Sequence, residues 1–151
     1  ELDNLSRLSK NEEIKELTIW EINSVSELLN IAKNVLHAEI LASEEKYEES
    51  IALLQKAVAI EDNLNYNEPP DWFFSVRHRL GAVQIEAGDY RSAIETYKED
   101  LERLPKNGWA LHGLRLVYEH QDNRAMVKNI SDDLTEVWAN ADVELEGSRI
   151  K

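Results

Sequence analysis

Apolar residues recur at three- and four-residue spacing along almost the whole chain, which is the pattern of amphipathic helices. Leu2, Leu5, Leu8, Ile14 and Leu17 open it, with a break near Lys10-Asn11. Thr18 to Asn23, including Ile19, Trp20 and Ile22, is a short apolar connection. Ser24-Val25-Ser26-Glu27 then fits a capping box, in which hydroxyl and carboxylate satisfy free amides at a helix start. The next helix sets Leu28, Ala32, Val35, Leu36 and Ile40 on one stripe, and Tyr47 to Glu61 answers with Ile51, Leu54, Ala57 and Val58. Further helices are predicted from Pro70-Asp71 to Ala87, over 90–103, and from an Asn107 cap to His120. A last helix over 123–141 carries Val127, Ile130, Leu134, Val137, Trp138 and Ala141 along one side and Lys128, Asp132, Asp133 and Glu136 on the other. β-branched residues never alternate over a useful length, so an all-α fold without strands is expected.

Small residues mark where two of these helices must touch. Gly81 and Ala93 remove side-chain bulk, Gly88 supplies a turn, Tyr90 and Tyr97 fill the gap, and Pro105 ends the second helix. The pattern recurs within the chain. A displacement of 34 residues puts Leu80 on Leu114 and Val83 on Val117, with Arg115 where Gly81 was. A displacement of 33 puts Ala93 on Met126, Ile94 on Val127, Tyr97 on Ile130 and Leu101 on Leu134, which implies a residue lost at the turn near Asp122-Asn123. A displacement of 43 aligns Gly81 with Ala38, Tyr90 with Tyr47, Ile94 with Ile51 and Leu101 with Val58. The excess falls in the loop-like run 62–71.

Together these residues resemble the tetratricopeptide repeat, a helix-turn-helix unit of about 34 residues. At 151 residues one domain with a modest core is expected, and the resemblance implies a right-handed α-solenoid of about three repeats with capping helices. An N-terminal helix or cap would cover 1–23. Repeats would span 24–61, 72–105 and 107–141, with an inserted loop over 62–71 and a tail over 142–151. The runs Asn65 to Trp72, Arg77 to Gly81 and Pro105 to Leu111 are also similar to the C-terminal part of larger bacterial repeat proteins of unassigned function. That likeness implies a bacterial origin and a missing N-terminal region, in keeping with a chain that starts at Glu1 without an initiator methionine.

Charge narrows the choice of partner. Thirty acidic residues against 17 basic ones give a formal net charge of −13, a field that repels nucleic acid and anionic membrane surfaces. A basic or neutral protein or peptide is favoured. No cysteine is present, so disulfides and thiolate chemistry are excluded. No apolar run approaches the roughly 18 residues of a membrane helix, and a cytoplasmic setting is the expectation unless a signal peptide has been removed.

The resemblance implies that the first helix of each pair lines a concave groove where a peptide or protein segment is held. Carried over residue by residue, the groove positions are Ala32, Val35, Glu39 and Ala42, then Ser75, His78, Arg79, Ala82 and Glu86, then Trp109, His112, Leu116, Glu119 and His120. Trp109 would supply a flat contact and Arg79 a charge-assisted hydrogen bond. One subclass grips a chain-terminal carboxylate with Lys, Asn and Arg. Here those places hold Val35, Glu39, Arg79, Trp109 and Gly113, so that clamp is largely missing.

Two alternatives are self-association through an exposed apolar edge, and a histidine-lined groove for a metal or small ligand. His112 and His120 stand about 12 Å apart along one helix, too far to share an ion, so neither a metal nor a cofactor is expected. Acidic pairs such as Glu44-Glu45 and Asp132-Asp133 are ordinary on solvated helix faces, and no nucleophile elbow or phosphate loop occurs. No enzymatic activity is expected. Leu64, Tyr66, Trp72, Phe73 and Phe74 gather aromatic surface around the 62–73 loop, which either pins itself to the scaffold or narrows one rim of the groove.

Overall fold

The computed structural model describes residues 1–149, so the last two residues of the expected 142–151 tail lie outside the described part. Among the described residues there are eight helices, packed in adjacent pairs as in a helical-repeat solenoid. The described residues are all-α apart from one small hairpin. No helix among the described residues is long and apolar enough to cross a membrane. The residues form two compact units, Glu1–Val76 and Arg77–Lys151.

The first unit opens with two short helices, α1 (Leu2–Leu8) and α2 (Glu12–Lys15), separated at the expected break. Asn11 caps α2 by accepting from the Glu13 amide at 2.9 Å. A two-stranded antiparallel hairpin follows, β1 (Thr18–Ile19) with β2 (Asn23–Ser24), where no strand was expected. Two-residue strands are too short to show an alternating pattern. Its turn sets Trp20 and Glu21 at positive φ, 53° and 62°, a conformation that usually announces itself with Gly or Asn. Ser24 caps the long helix α3 (Val25–Ser43) by accepting from the Ser26 amide. Its partner α4 (Tyr47–Glu61) packs along it, burying Ile31, Val35, Ala38 and Leu54. The Ser50 hydroxyl donates to the Ala38 carbonyl at 2.8 Å across this pair.

The second unit contains α5 (Val76–Glu86, all but its first residue), α6 (Tyr90–Arg103), α7 (Gly108–His120) and α8 (Arg124–Val137). α5 starts later than Pro70-Asp71 because Asp71 is engaged elsewhere: its carboxylate accepts from Asn23 and Asn67. α8 stops at Val137 rather than 141, and Trp138 caps it. The core gathers Ala93, Tyr97, Ala110, Leu114, Val117 and Tyr118 from α6 and α7.

Three turns share one geometry. After α3, Glu45 is left-handed (φ 61°), Lys46 N–H donates to the Leu41 carbonyl and Glu45 N–H to that of Ala42. After α5, Gly88 (φ 77°) does the same, with Asp89 bonded to Gln84 and Gly88 to Ile85. After α7 it is Asp122 (φ 52°), with Asn123 bonded to Tyr118 and Asp122 to Glu119. Each is a Schellman motif, satisfying the last carbonyls of one helix while aiming the chain into the next. Positions 45, 88 and 122 are 43 and 34 residues apart, the displacements visible in the sequence. The α7–α8 turn therefore keeps its full length, and the expected loss of a residue there does not occur. Met126 and Val127 both pack on the core, which is why α8 can be matched to α6 in either of two registers.

Candidate functional site

Tyr97 organises the second unit. Its ring is fully buried and occupies the space that a Cβ on Gly81 of α5, or on Gly113 of α7, would need. Two helices from different pairs therefore approach one aromatic ring on α6, and only glycine fits on either side. Burial pushes the Tyr97 phenol up from its ordinary value, with its hydrogen bond to Ser148 opposing the shift. That serine belongs to the segment following α8 and is 1% exposed. Its hydroxyl sits 2.5 Å from Tyr97 Oη and donates to the His78 carbonyl at 3.1 Å.

Beside this contact lies a cleft of about 390 Å³, floored by Ala82, Ile85, Trp109 and Leu116 and edged by Glu86. Residues Glu144 and 146–149 wall its other side. Several bonds hold this wall. Trp138 Nε1 donates to the Val143 carbonyl at 2.7 Å, Ser148 makes the bonds just given, and Arg149 Nη2 pairs with Glu86 Oε1 at 2.6 Å. Trp138 itself lies over Gly108, edge-on to Trp109 at a centroid distance of 6.1 Å and 85°.

Of the groove residues carried over from the resemblance, Ala82, Glu86, Trp109 and Leu116 converge on this cleft. His78 does not face an open groove. It is 3% exposed, and its Nε2 lies 3.0 Å from Asp100 Oδ2 and 2.7 Å from Asn107 Nδ2. Asn107 Nδ2 also donates to the same Asp100 oxygen at 2.9 Å. One ring nitrogen cannot both donate and accept, so the carboxylate is the shared acceptor and Nε2 carries the proton. Asn107 Oδ1 meanwhile accepts from the Trp109 amide, capping α7 as its sequence position predicts. The Ser148 hydroxyl meets the main-chain carbonyl of His78, not its imidazole, so this serine, histidine and aspartate are not arranged as nucleophile and base.

His112 is interior as well, at 4% exposure. Burial, reinforced by the neighbouring Arg115 charge, lowers its pKa, while Glu119 opposes the shift. Ser75 is buried and Arg79 half-buried. Glu119 is exposed and pairs with Arg115 at 2.5 Å, and His120 stacks on Tyr90 at 5.1 Å and 17°. Glu39 is half-buried on α3 in the first unit. Among the described residues no three His, Asp or Glu side chains gather as a metal centre requires. Ile85 in the floor, and Glu144 and 146–149 in the wall, were not foreseen. The segment has no periodicity, and Gly147-Ser148-Arg149 reads as an ordinary polar tail.

No protein-family model matches the chain. It is similar to the Photosystem I assembly protein Ycf3 of Prochlorococcus marinus, with 27% identity over 101 residues. That stretch is 67% of this chain and 50% of the relative, so the chain spans about half the length of the curated protein it matches.

Proposed function

We propose that this chain is a tetratricopeptide-type interaction scaffold that holds an extended segment of a partner protein against α5 and α7, without chemistry of its own. One observation carries the reading: the α5–α7 cleft already has a non-helical stretch of polypeptide lining it, seated by side-chain bonds and an ion pair. An apolar floor with a few convergent polar groups is what a peptide site needs. The Schellman-linked pairs and the likeness to a protein named for assembly support a scaffold role. The net charge of −13 favours a basic or neutral partner.

The test is affinity capture from source-cell lysate with wild type and with Trp109→Ala/Leu116→Ala, both shown to be helical. A protein retained by the wild type and lost by the double variant supports the reading. Equal retention by both moves the working surface away from this cleft. A second reading, self-association, draws on the first unit, where Trp20, Tyr66 and Phe73 are each more than four-fifths exposed. A sedimentation coefficient independent of concentration would dispose of it.

A further inference from the structure

We infer that residues Ser148 and Arg149 are an internal stand-in for the partner, so that the cleft selects a segment carrying serine followed by arginine and the chain's own segment must leave to admit it. This inference rests on the scaffold reading above and specifies the ligand of that cleft.

The seat's chemistry is specific. Ser148 donates its one hydroxyl proton to the His78 carbonyl, so the Tyr97 hydroxyl donates to Ser148 Oγ. The seat thus offers one donor and one acceptor in a buried site, which a hydroxyl satisfies and an alanine or a carbonyl does not. The next position is read by charge. Arg149, only 9% exposed along its side chain, reaches Glu86 Oε1 at 2.6 Å. The position before the serine is not read at all, because a Cβ on Gly147 would meet nothing nearer than 4.0 Å.

The segment is also built to be exchanged. It has no helix, and Asp142 to Glu144 and Glu146 are exposed. Most of its residues before Ser148 face solvent, and an irregular, largely exposed stretch opens at small cost compared with global unfolding. Being tethered, it competes at an effective concentration on the order of millimolar. A free peptide of the same sequence must therefore bind the intact chain weakly and a tail-released chain much more tightly.

The probe is a capped, dye-labelled peptide with the sequence of residues 144–149, and a second in which its arginine is replaced by glutamate. Anisotropy titrations use the full chain as wild type, Arg149→Glu, Glu86→Arg and the double charge swap. Arg149→Glu repels Glu86 and is expected to bind the arginine peptide at least tenfold tighter than wild type, and to ignore the glutamate peptide. Glu86→Arg is expected to reverse that preference. The double swap re-seats the segment and returns both peptides to weak binding.

Equal affinity of wild type and Arg149→Glu for the arginine peptide overturns the inference. So does loss of helical circular dichroism in Arg149→Glu, because the segment would then be an obligatory part of the fold. A partner captured by the wild type, lost by Trp109→Ala/Leu116→Ala and indifferent to Arg149→Glu would leave the scaffold reading standing and remove this one. Capture unaffected by the Trp109 and Leu116 changes would remove the scaffold reading first.

Discussion

The ring of Tyr97 fills the space that a Cβ on Gly81 would occupy, and it does the same to Gly113 on the opposite side. A tyrosine gripped between two glycines has no free space to swing into, because its fully buried ring is in contact with both helices. Gly81→Ala and Gly113→Ala should each destabilise the second unit by about 1–3 kcal/mol, the usual cost of overpacking a filled core. A helix-interior alanine would otherwise help by up to about 1 kcal/mol, so the sign itself is the test. Urea unfolding decides it: an unchanged or raised midpoint in either variant refutes the clamp.

The buried His78–Asp100–Asn107 cluster joins α5, α6 and the start of α7 through one carboxylate. Asn107→Ala removes the α7 cap and also one of Asp100's donors. Asn123→Ala, where the side chain accepts from the Met126 amide, removes an exposed cap alone. The exposed cap should cost about 1 kcal/mol. Asn107→Ala should cost about 1–3 kcal/mol more, since it leaves a buried carboxylate short of a partner. Equal losses in chemical denaturation would mean that the cluster adds nothing beyond capping.

Asn23 fastens the long connection of the first unit. Its side chain donates to the Asn65 carbonyl and to Asp71, and accepts from the Asn65 amide at 2.7 Å, while only 2% exposed. Asn23→Ala should free residues 62–71 for hydrogen exchange and proteolytic cleavage, leaving the protection of α3 and α4 largely unchanged. Exchange spreading through both helices would show that the loop supports the pair instead of resting on it.

Helix pairing was legible because it depends on backbone requirements that few residues meet. Gly88 at a left-handed turn, Gly81 under an aromatic ring and Asn107 at a helix start each leave a mark on the sequence. The same turn at Asp122 uses a residue that tolerates the left-handed region, while Glu45 has no such preference and only the displacement of 43 betrays it. His78 and His112 were misplaced for a different reason. Polar side chains read as exposed unless their partners are known, and Asp100 looks like one more acid on a charged helix. Four residues that the resemblance assigned to a groove, Ala82, Glu86, Trp109 and Leu116, line the cleft. The opposite wall was not legible, because an irregular segment gives no periodic signal of what it lies against.

His112 makes the second unit sensitive to acid. Arg115 Nη2 approaches its Nδ1 at 3.4 Å, so Nδ1 accepts and the ring is held neutral. Burial first, and the Arg115 charge second, place its folded pKa below the ordinary 6.5. The unfolded chain then binds a proton at a pH where the folded chain does not, so stability rises with pH across that window. The contribution is present above the ordinary value and is lost as pH falls through the folded one. His112→Gln keeps an acceptor and cannot titrate. Between about pH 7.5 and about pH 5 the wild type should therefore lose more of its Tm than the variant, with exposed His37 and His120 common to both. Parallel Tm curves for the two proteins would show that His112 is already free to charge in the folded state.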